Sequence, residues 1–387
     1  MDRPHLIVIG GGFTGCAIAH DAELRGFDVT VLERGELASG TSGRTHGHLH
    51  SGARYCVTDP EASKECIEEN TLIRKLAPGC VEWNGGLAIL IREEDRDYEE
   101  KFVVGAQACH ITIEKFSREQ LLKMEPNLTP KVMGGYRVPD GTFDPLRLAL
   151  AFAATAKKQG AEFRNYHEVT GFIKDGQGNV TGVEVWDRHT DTHYTLQGDM
   201  VVNATGAWAG KIAALADLKV SVTPTPGVMV AYDQRFVNHL IQRLGIPGDG
   251  DAILPQRRMV VMGTTSFETD EIDYIPVYKD HIREMHEAAL KLIPAVANAN
   301  MRGSFMSARP LIGSEAKGRS VSRTFVCYDH ETNDGVKGII TITGGKATTC
   351  RAMAEKTVDM VCHSLGMSAA CTTRDVLLSP YRDFYRN

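Results

Sequence analysis

The stretch Leu6-Ile7-Val8-Ile9-Gly10-Gly11-Gly12-Phe13-Thr14-Gly15, read on to Asp28-Val29-Thr30-Val31-Leu32-Glu33, decides the fold. Leu6 to Ile9 reads as a buried strand, Phe13 to about Arg25 as a helix and Asp28 to Leu32 as a second strand, which together make a βαβ unit. Gly10, Gly12 and Gly15 form GxGxxG between the first strand and the helix. The first glycine permits the tight turn, the second lets the backbone approach a pyrophosphate, and the third allows close helix-to-strand packing. The free N–H groups and partial positive charge of the helix N-terminus then face the anion. Glu33, about 20 residues on, is placed to accept a hydrogen bond from a ribose hydroxyl. An acid there favours an unphosphorylated adenosine ribose, so FAD or NAD over NADP, without separating those two.

Beyond this unit, Gly35 to Arg54 is a loop too long and polar for an ordinary connection, and ligand contact is the natural reason for it. Glu61 to Leu76 has helical spacing, and Leu87 to Ile91 reads as a buried strand. Asp144 as N-cap and Pro145 at the first position predict a helix from Pro145 to about Gln159. Phe163 to Thr170, Val180 to Trp186, Met200 to Asn203, Val228 to Tyr232 and Met259 to Met262 read as strands, and Asp280 to Leu292 as a helix. Gly338 to Thr343 then repeats the opening order of strand, glycine turn and helix, with the helix from Ala347 to Leu365. The expected fold class is α/β with an α+β cap: a Rossmann-like dinucleotide-binding domain from residues 1–80, 141–219 and 306–387, and a discontinuous sheet-based substrate domain from 81–140 and 220–305.

The 387 residues carry a formal charge of -6. No basic field attracts a polyanion, so a small molecule is the expected partner, not nucleic acid. Nine cysteines lie scattered with no C-x-x-C pair or Cys/His cluster, which fits a reducing cytoplasm and predicts no metal site. The first strand leaves no room for a leader after Met1, and no run of about 18 apolar residues predicts a membrane span.

Two later segments favour a flavin over a nicotinamide. Val201 to Gly206 is a strand ending in small residues, suited to close backbone approach. Gly344, Gly345, Lys346, Ala347, Thr348 and Thr349 open a second helix N-terminus, placed to meet an isoalloxazine carbonyl or a substrate anion. The run from Gly43 to Tyr55, with Val138 to Gly141, Val201 to Trp208, Ser307 to Leu311 and Ile340 to Arg351, resembles the FAD-dependent glycerol-3-phosphate dehydrogenases. It is most similar to catalytic subunits of the anaerobic type, within the D-amino-acid-oxidase-like flavoproteins.

That resemblance implies FAD extended in the first domain, with its isoalloxazine facing a cavity beneath the second. It implies that Gly10, Gly12, Gly15 and Glu33 hold adenosine and pyrophosphate, that Thr41, Ser42 and His46 line the flavin, that Gly345 and Thr348 close its far side, and that the Val169 backbone meets adenine. Arg54, Arg309 and Lys346 become the substrate-anion ligands, which an acidic protein needs in order to hold a phosphomonoester. His50 becomes the base that takes the C2 hydroxyl proton as hydride leaves C2 for flavin N5. Electrons then pass to a quinone or partner subunit, with peripheral attachment to the inner face of the membrane. Rival readings are a 2-hydroxy-acid dehydrogenase of the 2-hydroxyglutarate type and a non-catalytic flavin-binding subunit. Thr45, His48 and Cys350 depart from the family, which more often has asparagine, leucine and an aromatic residue there, and the sequence ends at Asn387 where the anaerobic subunits continue into a cysteine-rich extension.

Overall fold

The computed structural model describes residues 3–312 and 324–386, so small parts of the first and last expected segments lie outside them. Its opening unit is the strand His5–Ile9, the helix Phe13–Leu24 and the strand Asp28–Glu33. These strands sit centrally in a six-stranded sheet of order Phe325–Asp329, Ile339–Gly344, Met200–Asn203, His5–Ile9, Asp28–Glu33, Glu162–Asn165. All neighbours are parallel except the first pair. Parallel strands are covered on both faces and so read as near-continuous apolar runs.

Alternation along each strand sorts side chains between two cores. Leu6, Val8, Val29, Val31, Val202 and Ile342 pack with the buried residues of the helices Phe13–Leu24, Pro145–Gln159 and Cys350–Ser364. Ile7, Ile9, Val201 and Ile339 face Val183 and Val185 of a three-stranded antiparallel sheet, His167–Lys174, Val180–Asp187 and Thr192–Gln197. As expected, Asp144 caps its helix by accepting the Arg147 N–H at 3.1 Å.

One expected strand is divided in two. Phe163 to Thr170 reads as continuous, but Tyr166 adopts φ 61°, and this left-handed residue turns the chain from the parallel sheet into the three-stranded one. The bend arises from tertiary position, since no glycine or proline marks it.

A second large sheet has eight strands in the order Met301–Leu311, Thr223–Tyr232, Met259–Gly263, Ala252–Gln256, Leu240–Arg243, Gly86–Leu90, Gly134–Val138, Glu114–Ser117. Helix Lys279–Leu292 buries Met285, Ala289 and Leu292 with Val230, Ile253 and Met262 on one face. The strand Met301–Leu311 carries this sheet past residue 305, so the division drawn at 305/306 falls inside a single element. That continuity delivers Arg309 from the cap to the interface between the domains.

Candidate active site

A cavity of about 1310 Å³ opens between the two large sheets. Ordinary small-ligand pockets occupy about 300–1,000 Å³, so this volume suits an extended dinucleotide with a second small molecule. Gly10, Gly12, Val169, Gly206 and Gly345 all line it, and the two glycine-opened helix starts therefore face one continuous space. The turn leaves no room for side chains: a Cβ on Gly12 would lie 2.9 Å from Ser42 Oγ, and one on Gly15 would lie 1.9 Å from the Gly10 carbonyl oxygen.

Other residues expected at the cofactor are fixed by the protein itself. Ser42 Oγ accepts the Phe13 N–H at 3.0 Å, and Thr41 Oγ1 donates to the Ala308 carbonyl at 2.7 Å, which stitches the first domain to the cap strand. Glu33 Oε2 accepts the Gly11 N–H at 2.8 Å and Oε1 the Gly35 N–H at 2.9 Å. Burial pushes the Glu33 carboxyl upward in pKa, opposed by these backbone donors. The carboxylate thus clamps the glycine turn, a role the ribose argument did not predict. Its remaining lone pairs leave acceptor capacity for a hydroxyl.

Glu33→Gln keeps the size but sets an amide NH₂ against one of the two backbone N–H groups. Losing one such bond costs about 1–3 kcal/mol. FAD affinity, followed by quenching of flavin fluorescence, is expected to fall about tenfold.

At the inner end of the cavity, His48–Leu49 pairs with Gly141–Phe143, with His48 opposite Thr142. Residues two apart on a strand share a face. The His48 and His50 rings accordingly stack, with centroids 3.6 Å apart and planes 25° from parallel. Gly52, at φ 89°, turns the chain under the helix Pro60–Leu76, where a Cβ would lie 2.3 Å from the Ser63 carbonyl oxygen. Arg351, buried at the start of the C-terminal helix, bonds Glu69 through Nη2 at 2.5 Å and ties that helix to the same support.

Around His50, Tyr55 lies 5.3 Å away between ring centroids, and Lys346 Nζ stands 4.9 Å over the Tyr55 ring. Arg54 Nη2 lies 3.2 Å from Asp251 Oδ2 and donates to the Gly248 carbonyl at 3.0 Å. Arg309 is held from the cap: Nε donates to the Thr225 carbonyl at 3.1 Å, Nη1 to Thr264 Oγ1 at 3.2 Å and Nη2 to Ser266 Oγ at 3.0 Å. His50, Arg54, Arg309 and Lys346 all line the cavity. Burial, followed by the positive influence of His48, His46, Lys346 and Arg54, holds His50 well below the usual histidine pKa. Its Nδ1 is buried and makes no hydrogen bond among the described residues.

Thr348 does not line this space. It is fully buried, and its Oγ1 accepts the His50 backbone N–H at 3.1 Å. It positions the histidine from behind, while its neighbours Gly344, Gly345, Lys346 and Ala347 reach the cavity.

The family model for FAD dependent oxidoreductases matches residues 5–351. The chain belongs to that family. This oxidoreductase is 41% identical over 96% of its length to one component of the anaerobic glycerol-3-phosphate dehydrogenase of Escherichia coli (strain K12), covering 69% of that protein. It is 40% identical over 98% of its length to the like-named component of the Haloferax volcanii enzyme, covering 67% of it. Among solved structures, it superposes on a glycerol-3-phosphate dehydrogenase from Bacillus halodurans complexed with FAD, with a TM-score of 0.75 and 28% identity, over 99% of this chain and 70% of that one. Its cofactor is FAD, and the glycine turn, the helix N-terminus and the cavity fit that group.

Three further polar residues support the oxidoreductase's site. Asp140, in the Val138 to Gly141 run that shares in the family resemblance, is buried, and Oδ1 accepts the Ser51 N–H at 2.6 Å. Tyr55 ends the run from Gly43, but it meets Lys346 only through the fold, and Asp251, the partner of Arg54, has no local signal in the sequence. Among the described residues, His48, His50 and Asp140 are the one group with metal-type donor atoms close together, within 4.8 Å. Asp140 Oδ2 also accepts from Gln242 Nε2 at 3.2 Å.

Proposed function

We propose that this oxidoreductase converts sn-glycerol 3-phosphate to dihydroxyacetone phosphate and passes the electrons to a partner subunit or a quinone. One observation carries the reading: Arg54, Arg309 and Lys346 line the same cavity as His50 and the FAD turn, in a chain whose formal charge is -6. A phosphomonoester bears about -1.5 to -2 charge near neutral pH, so local cations must hold it against the protein's overall field. Arg309 is a fixed charge, since carbonyl and hydroxyl oxygens pin its guanidinium before substrate arrives. Pre-organisation of this kind lowers the ordering cost of binding.

FAD, when bound, supplies the hydride acceptor. His50 takes the C2 hydroxyl proton as the C2–H bond is given up, which leaves a carbonyl at C2 and an imidazolium at His50. A base held below the usual histidine range stays ready at neutral pH. The walls of the two domains exclude water from the reacting carbon. The relatives named glycerol-3-phosphate dehydrogenase support the substrate, and the naming of two of them as single components of a larger enzyme supports a partner subunit. No helix among the described residues is long and apolar enough to cross a membrane; membrane contact, in this reading, is peripheral and on the inner face.

The test is anaerobic mixing of the FAD-loaded protein with each candidate substrate, followed by flavin absorbance. Glycerol 3-phosphate is expected to bleach the spectrum and 2-hydroxyglutarate to leave it unchanged. Bleaching by 2-hydroxyglutarate alone would replace the phosphate reading with a carboxylate one, and bleaching by neither would point to a non-catalytic flavin-binding role.

A further inference from the structure

The structure gives the ring of His48 a partner and a place. His48 is buried, with its Nε2 3.2 Å from Asp140 Oδ2. Asp140 is fixed from two further sides, by the Ser51 N–H and Gln242 Nε2. The His48 ring also stacks on His50. A carboxylate, an imidazole and the candidate base therefore form one cluster, with both rings lining the cavity.

We propose that His48, held by Asp140, is a positioning residue for His50: it fixes the plane of that ring and sets the pH range over which the ring accepts a proton. The proposal rests on the reading of His50 as the proton acceptor. Two imidazoles in face contact share at most one positive charge, because the second would be opposed by the first at van der Waals distance. Burial raises the Asp140 pKa, yet the His48 ring and the Ser51 N–H outweigh it and hold the carboxyl below its usual value. A positive charge on one ring of the stack opposes one on the other, so His50 holds a proton less firmly than an isolated imidazole does.

Other charged or titratable groups facing this cluster act on it too. His46 lies on the same segment, with its ring centroid 5.8 Å from that of His48. Arg54 and Tyr55 approach from the segment after Gly52, and Lys346 from the C-terminal glycine turn. Glu65 and Cys66 of the Pro60–Leu76 helix face Lys346. Of the positive neighbours of His50, His48 has the largest influence, and it alone touches the ring face to face.

His48→Phe keeps a stacked ring and removes its titratable nitrogens, whereas His48→Leu removes both. Each variant is prepared loaded with FAD, and circular dichroism with flavin absorbance verifies the fold. Ring carbon NMR of selectively labelled histidine, assigned with His50→Gln, then follows His50 without substrate. In the parent protein His50 is expected to stay neutral through the histidine range, and in His48→Phe its midpoint is expected to rise by about one pH unit or more. In anaerobic stopped flow with glycerol 3-phosphate, the acid limb of flavin reduction is expected to move upward by the same interval. The high-pH plateau is retained in His48→Phe and lowered in His48→Leu. A purely packing role would give His48→Phe the parental midpoint and limb, and that result overturns the proposal. A moved NMR midpoint without bleaching of the parent protein would remove the substrate reading and leave the coupling standing. Bleaching with an unmoved midpoint would do the reverse.

Discussion

Gly15→Ala is expected to give a protein that purifies nearly colourless. The added Cβ would lie 1.9 Å from the Gly10 carbonyl oxygen. That oxygen is backbone, and the glycine turn carrying it is fixed by the Gly10 N–H bond to the Leu32 carbonyl at 2.8 Å and by Glu33. Relief requires the opening helix to move off the first strand, which withdraws its N-terminus from the pyrophosphate position. Overpacking of this kind costs about 1–3 kcal/mol or more, shared between stability and cofactor affinity. The FAD dissociation constant is expected to rise about ten- to hundredfold, measured by fluorescence on apoprotein titrated with FAD. Gly79→Ala is the control, since a Cβ there meets nothing within 4 Å. Equal FAD retention by the two variants would sink the argument.

His50→Asn is expected to slow anaerobic flavin reduction by glycerol 3-phosphate about 10²- to 10⁴-fold, the usual contribution of a positioned base. The backbone N–H that binds Thr348 is unchanged by the substitution, and asparagine preserves a polar side chain, so FAD content and substrate affinity should hold within a few fold. The pH profile supplies a second readout. A base must be unprotonated to act, so parental activity falls as pH drops through the His50 pKa. Burial and then the neighbouring positive groups hold that pKa well below the histidine range. The parental rate is therefore expected to be flat around neutral pH, with its acid limb well below the usual histidine pKa, and His50→Asn should lack this limb. A full-speed His50→Asn variant would remove the histidine from the chemistry.

Much of the site lies within reach of the sequence because its signals are local. GxGxxG between strand and helix, Asp144 before Pro145, and the second glycine-opened helix each report a backbone requirement met within a few residues. Glu33 is legible as a residue but not in its observed role, since its bonds to Gly11 and Gly35 depend on how the turn curls back over the strand end. Thr348 departs from expectation for a similar reason: the helix start it belongs to faces the cavity, but its own side chain points into the packing behind His50. The break at Tyr166 has no signal at all.

What the linear order settled is the doubly wound fold and its dinucleotide turn, because the 3.6- and 2-residue periods and the glycine positions are imposed by backbone sterics. What folding decided is which charges meet. Arg54 finds Asp251 some 197 residues away, Ser51 finds Asp140 across 89, and Thr41 reaches Ala308 across 267. Such pairings come from the packing of two discontinuous domains on one cavity, and no periodicity within either segment encodes them.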